Sequence, residues 1–189
     1  MLKKLDLYGG AISTVLPEGF LDASLLREVP DTQEIFVNSR ETGEKFEDGL
    51  GLNESIVVDL LERVSEINDY GALKVHLEEI TDLNAGRNMS MVEHETLANG
   101  SQCCVATESI DKWGKQEKKE TVVLCVGLIR LAEFSTDVVI TINVPVEPAM
   151  HAELDQLAKN RLPERATTAY ELLKSMVREF KVVDGSLFV

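Results

Sequence analysis

Positive charge is scarce in this 189-residue chain: 19 lysines and arginines stand against 33 aspartates and glutamates, a formal net charge of -14. Such a chain is repelled by nucleic acid phosphates and anionic membrane surfaces, so a basic partner is expected and direct nucleic acid binding is not. Long apolar runs are missing too. No stretch approaches the ~20 residues that cross a bilayer. Lys3, Lys4 and Asp6 also put charge where a secretory apolar core would begin. A soluble intracellular protein with no membrane association is the expectation. The cysteines are only Cys103, Cys104 and Cys125, an odd number with no Cys-x-x-Cys pair. A disulfide framework and a zinc ribbon are thereby excluded, and the three read as buried free thiols in strands.

Histidine is equally sparse: His76, His94 and His151. His94-Glu95-Thr96-Leu97-Ala98 opens like a zinc protease helix, but Ala98 stands where the second metal-binding histidine must be. His76, in an alternating apolar segment, reads as a hydrogen-bonded structural residue. Gly49-Leu50-Gly51-Leu52 lacks the third glycine of a dinucleotide loop, and no Gly-Lys-Ser or Gly-Lys-Thr is present to cradle phosphates. No catalytic residue, metal or cofactor is expected. An enzyme reading would need a pocket lined by His76 or Cys125.

What is present describes a globular chain, 44% hydrophobic and 28% charged, long enough to bury a core as one domain over residues 1–189. Ala11 to Leu16 reads as a strand. A short helix capped by Asp22 or Ser24 follows, with Leu25 and Leu26 facing the core, and then a strand from Glu34 to Asn38. From Asn53, an N-cap type, Ile56, Val57, Leu60, Leu61, Val64 and Ile67 recur at helical spacing. A helix there would place Asp59 and Glu62 on one exposed face. Leu73, Val75 and Leu77 alternate and lean towards a strand. Gln102 to Ile110, Thr121 to Leu131 and Val138 to Val146 are strong strands in an antiparallel series, the middle one apolar on both faces and therefore central. A C-terminal helix from about Glu164 to Phe180 follows Pro163. The fold class is α+β: an antiparallel sheet covered on one face by the Asn53 helix and on the other by the C-terminal helix.

Charge is unevenly distributed. Residues 18 to 62 hold twelve acidic side chains against Arg27, Arg40 and Lys45, a net of -9. Asp59 and Glu62, with Asp31 and Glu34 beside the restrained Pro30, would form one rigid acidic surface able to steer and orient a basic protein. The one basic cluster, Lys112-Trp113-Gly114-Lys115 with Lys118 and Lys119, reads as a solvated loop.

Leu7-Tyr8-Gly9-Gly10-Ala11, the string from Asp22 through Glu34, and Ser55 through Glu62 closely resemble the Ran guanine nucleotide release factors, or Mog-type proteins. So do Leu128-Ile129-Arg130-Leu131, Thr136-Asp137, Asn143-Val144-Pro145 and the residues from Asp184 to Phe188. The resemblance implies a PsbP-like fold. It implies binding to the small GTPase Ran, promotion of guanine nucleotide release, and support of nuclear protein import, without a cofactor. The positions matching the family's acidic motif are Asp59 and Glu62, with Asp31 and Glu34 matching upstream; Gly9-Gly10 and Arg130 are assigned to the fold. A monomer in nucleus and cytoplasm is expected. The rival reading is an acidic adaptor that holds Ran or another basic protein without altering nucleotide exchange.

Overall fold

β8 (Lys119–Leu131) is the longest strand, and its residues Val122 through Ile129 are all buried. It can be apolar on both faces because each face is covered. The computed structural model describes residues 1–44, 46–111 and 119–188; the basic cluster at 112–118 lies outside the described residues. Seven strands form an antiparallel sheet in the order β3 (Phe20–Asp22), β4 (Gln33–Asn38), β5 (Ser55–Glu62), β9 (Thr136–Val146), β8, β7 (Gln102–Asp111) and β6 (Arg87–Thr96). The strands expected at 102–110, 121–131 and 138–146 are thus present and pair consecutively. A smaller sheet joins β1 (Leu2–Leu7), β2 (Ile12–Pro17) and β10 (Lys181–Val182). At its first turn Gly9 and Gly10 adopt positive φ of 67° and 92°, a conformation that a side chain disfavours.

Two cores follow from the alternation of side chains across the sheet. On one face Val123 and Cys125 of β8, Ile140 and Ile142 of β9, and Ile56 and Val58 of β5 meet α3 (Glu164–Arg178) and the small sheet. The α3 residues are those foreseen, Ala166, Ala169, Tyr170, Leu173, Met176 and Val177. Gly127 of β8 sits beneath this helix, where an added Cβ would lie 2.8 Å from Val177 Cγ2. α2 (His151–Ala158), which periodicity did not reveal, precedes α3. On the other face Val122, Leu124, Val126 and Leu128 meet Ala72, Leu73 and Leu77 of α1 (Asp69–Leu83).

The layers are as expected; the helix supplying the second cover is not. Residues 55–62 form strand β5, and the cover comes from α1, which begins at Asp69. Asn68 caps it, its Oδ1 accepting from the Gly71 amide at 3.0 Å. Leu73, Leu77 and Thr81 are buried at every fourth residue with His76 beside them, so Leu73 and Leu77 share one stripe of a helix while Val75, only half-buried, lies off it. At 20–26 the expected helix is instead β3 and a 3-10 turn. Asp22 does cap it, accepting from the Ser24 amide, but Ala23 is buried while Leu25 and Leu26 are 72% and 67% exposed.

One carboxylate joins the sheet to the α1 layer. Asp137 of β9 is fully buried and accepts from Arg130 Nε at 3.1 Å, His76 Nε2 at 2.9 Å and the Val64 amide at 3.1 Å. Arg130 in turn donates to the Val64 and Glu66 carbonyls, which secures the passage from β5 to α1. Removing a buried partner leaves a charge uncompensated. Asp137→Ala is expected to cost about 3–5 kcal/mol in urea unfolding, while Glu133→Ala in the exposed 3-10 turn after β8 stays within about 0.5 kcal/mol.

Candidate partner-binding surface

β5 lies between β4 and β9, and that position decides where its acidic residues point. Side chains of a strand alternate, so Asp59 and Glu62, three residues apart, project from opposite faces of the sheet. The expectation that both stand on one exposed helix face is overturned. The reason is that Ile56, Val57 and Val58 are β-branched, and β5 carries apolar side chains on both faces, buried on the α3 side and half-buried on the other. Its apolar residues therefore fall at consecutive positions and imitate helical spacing. Asn53 is no helix cap; with Glu54 it holds Arg165 of α3.

Asp59 shares the α1 face with its cross-strand neighbours Gln33 and Val139 and is half-buried. Gln33 Nε2 donates to Asp59 Oδ1 at 2.6 Å. Burial pushes the Asp59 pKa up, opposed by that hydrogen bond and by the nearby His76. The carboxylate opens onto a groove of about 230 Å³ floored by Ile35, Val57 and Thr141 and walled by Ile80 and Leu83 of α1. Thr141 Oγ1 is buried there without a hydrogen-bond partner among the described residues.

Glu62, the last residue of β5, is exposed. Asp31 is exposed in a turn closed by the Gln33 amide donating to the Pro30 carbonyl at 2.8 Å, and the Leu60 amide ties this turn to β5 through the Thr32 carbonyl. Asp31, Asp59 and Glu62 therefore gather at one end of the β4–β5 pair. Glu34 does not join them freely. It pairs with Val58 on the α3 face, and its Oε1 accepts from the Tyr8 amide at 2.6 Å. The sequence reading missed Gln33 and Tyr8 as partners of these carboxylates. Neither amide nor phenol carries a charge signal, and only strand register brings them together.

The surface offers carboxylates to a basic partner and no nucleophile with an adjacent base. Cys125 and His76, the residues an enzyme would need, are both interior: Cys125 Sγ faces the Ala166 carbonyl at 3.9 Å and His76 is committed to Asp137. Burial pushes the Cys103 and Cys104 thiols up to about 12, which keeps them protonated and inert. Among the described residues no three His, Cys, Asp or Glu side chains are grouped to hold a metal ion, and no helix is long and apolar enough to cross a membrane.

Comparison with known proteins gives a consistent result. The family model described as Ran-interacting Mog1 protein matches residues 5–145. Nuclear import protein MOG1 of Saccharomyces cerevisiae is 50% identical over 187 residues, covering 98% of this chain and 84% of that protein. The Ran guanine nucleotide release factor of Homo sapiens is 31% identical over 149 residues, 74% of each chain. The crystal structure of the Saccharomyces cerevisiae Ran-binding protein Mog1p superimposes with a TM-score of 0.91 at 49% identity, covering 100% of this chain and 99% of that one.

A raised pKa at Asp59 means that the native chain holds this proton more tightly than the unfolded chain does. Stability from this group then declines as pH rises from the ordinary aspartate range through the native pKa. Asp59→Asn, which keeps an oxygen for Gln33, is expected to exceed the wild type in stability at pH 7. The difference should close as pH falls to about 4 and below, as read from urea midpoints across that range.

Proposed function

The chain belongs to the Ran-interacting Mog1 family, and on that premise we propose that it binds the small GTPase Ran and promotes release of its guanine nucleotide in support of nuclear protein import. The names carried by its relatives, nuclear import protein and Ran guanine nucleotide release factor, support this activity. The observation that supports the site is the placement of Asp31, Asp59 and Glu62 at one end of the β4–β5 pair, where Asp59 is half-buried and burial raises its pKa. A carboxylate perturbed in this way is characteristic of a binding site. Glu34 contributes its remaining oxygen from the opposite face of β4. The chain acts as one domain over residues 1–189, works in the nucleus and cytoplasm, and regulates without covalent chemistry of its own.

Carboxylates at this end would meet basic residues of the GTPase and stabilise a conformation of Ran that holds its nucleotide poorly. Release is then a population shift. Preference for nucleotide-free over loaded Ran by ~100-fold supplies ~2.7 kcal/mol towards release with no bond made in the factor. The alternative, an acidic adaptor that holds Ran without changing nucleotide affinity, uses the same carboxylates and differs only in that preference.

The test is the dissociation rate of a fluorescent guanine nucleotide from Ran, with and without the chain. The wild type is expected to accelerate release, and the Asp59→Lys, Glu62→Lys double variant to lose at least about tenfold of that effect, because charge reversal replaces attraction with repulsion. Binding with an unchanged dissociation rate would favour the adaptor. Intact binding and release in the double variant would move the site elsewhere.

A further inference from the structure

Tyr8 has a backbone that its side chain disfavours. Its φ is +50°, in the left-handed region, immediately before Gly9 and Gly10. A bulky residue persists there only when its surroundings hold it, and such positions concentrate at functional sites. Hydrogen bonds from its amide and its phenol hold Tyr8. The amide donates to Glu34 Oε1 at 2.6 Å, and the single phenol proton is shared between the Val58 and Thr32 carbonyl oxygens, 2.9 Å and 3.0 Å away.

Those two carbonyls matter for what adjoins them. Thr32 follows Asp31 in the turn, and the Val58 carbonyl belongs to the peptide that joins Val58 to Asp59. The Thr32 carbonyl also accepts from the Leu60 amide, so one phenol secures the junction of turn and strand from the α3 face. Asp59 is presented on the opposite face. The ring itself packs against the core on the α3 side, a contact that phenylalanine would keep.

We propose that Tyr8 is a positioning residue for the Asp59 carboxylate of the Ran-binding surface, its hydroxyl bracing the β4–β5 pair from behind so that Asp59 is offered in fixed geometry. This rests on the functional reading above. Burial, then the Glu34 and Asp59 carboxylates, raises the Tyr8 pKa, so the hydroxyl remains a donor at physiological pH.

Tyr8→Phe removes the hydroxyl and keeps the ring, and circular dichroism should report a folded chain. Ran affinity is expected to fall about 5-fold, the scale of one lost hydrogen bond. In an Asp59→Asn background the same change is expected to cost less than about 2-fold, because the brace acts through Asp59. A merely structural hydroxyl would instead give equal penalties in both backgrounds. A second readout does not involve Ran: NMR titration of the Asp59 carboxyl, whose neighbours are Gln33 and His76, should show its midpoint in Tyr8→Phe moving down towards the ordinary aspartate range as water gains access. Equal penalties, or unchanged affinity with an unchanged Asp59 midpoint, would overturn the proposal. If the wild type fails to bind Ran, the functional reading falls, and the Asp59 titration alone decides the brace: a moved midpoint supports it and an unmoved one overturns it.

Discussion

The buried Asp137 carboxylate fastens the sheet to the α1 layer and to the passage that leads into it. It reaches the next strand through Arg130, the α1 layer through His76 and the passage between β5 and α1 through the Val64 amide. A fully buried carboxylate is tolerable only when its lone pairs are filled by charged or strongly polar donors, and these three fill them. The passage from β5 to α1 depends on the result. Arg130 holds the carbonyls of Val64 and Glu66, so β5 ends in a restrained segment, and α1 starts where it can cover β7 and β8.

That arrangement divides the acidic surface between two faces of one sheet. Asp59 belongs to the α1 side, beside a groove that α1 leaves open, whereas Glu34 belongs to the α3 side and is engaged by Tyr8. Asp31 and Glu62 remain exposed at the end of the β4–β5 pair. Under the proposed function, a partner would meet an edge-like end of the sheet with carboxylates at different depths. Half-burial would strengthen an electrostatic contact to Asp59 by lowering the local dielectric, and it also makes the Asp59 charge unfavourable for the free protein. Geometry at such a site has to come from the scaffold, which is why the hydrogen bonds of Gln33 and Tyr8 behind and beside the carboxylates carry weight.

Much of the architecture was legible in the residues. β7, β8 and β9 are long enough and rich enough in β-branched residues to declare themselves, and Val122 through Ile129 could only be a strand covered on both sides. The α3 stripe from Ala166 to Val177 is periodic over about three turns. The concentration of acidic charge between residues 18 and 62, and the strings shared with the release-factor family, are also properties of the chain alone.

Tertiary structure alone decided what residues 53 to 83 become. Ser55 to Glu62 carries apolar side chains on both faces, and an apolar run of that kind satisfies a helix or a buried strand equally well. Its place between β4 and β9, where its backbone groups find partners on both sides, settles the matter. The neighbouring α1 is then recruited as cover, though Leu73, Val75 and Leu77 taken alone alternate like a strand. Which carboxylates share a face, which are buried and which meet Gln33 or Tyr8 all follow from that register. Composition and spacing determine which residues are acidic and roughly where, while pairing across strands, a contact between residues as distant as Tyr8 and Val58, determines what those acids can reach.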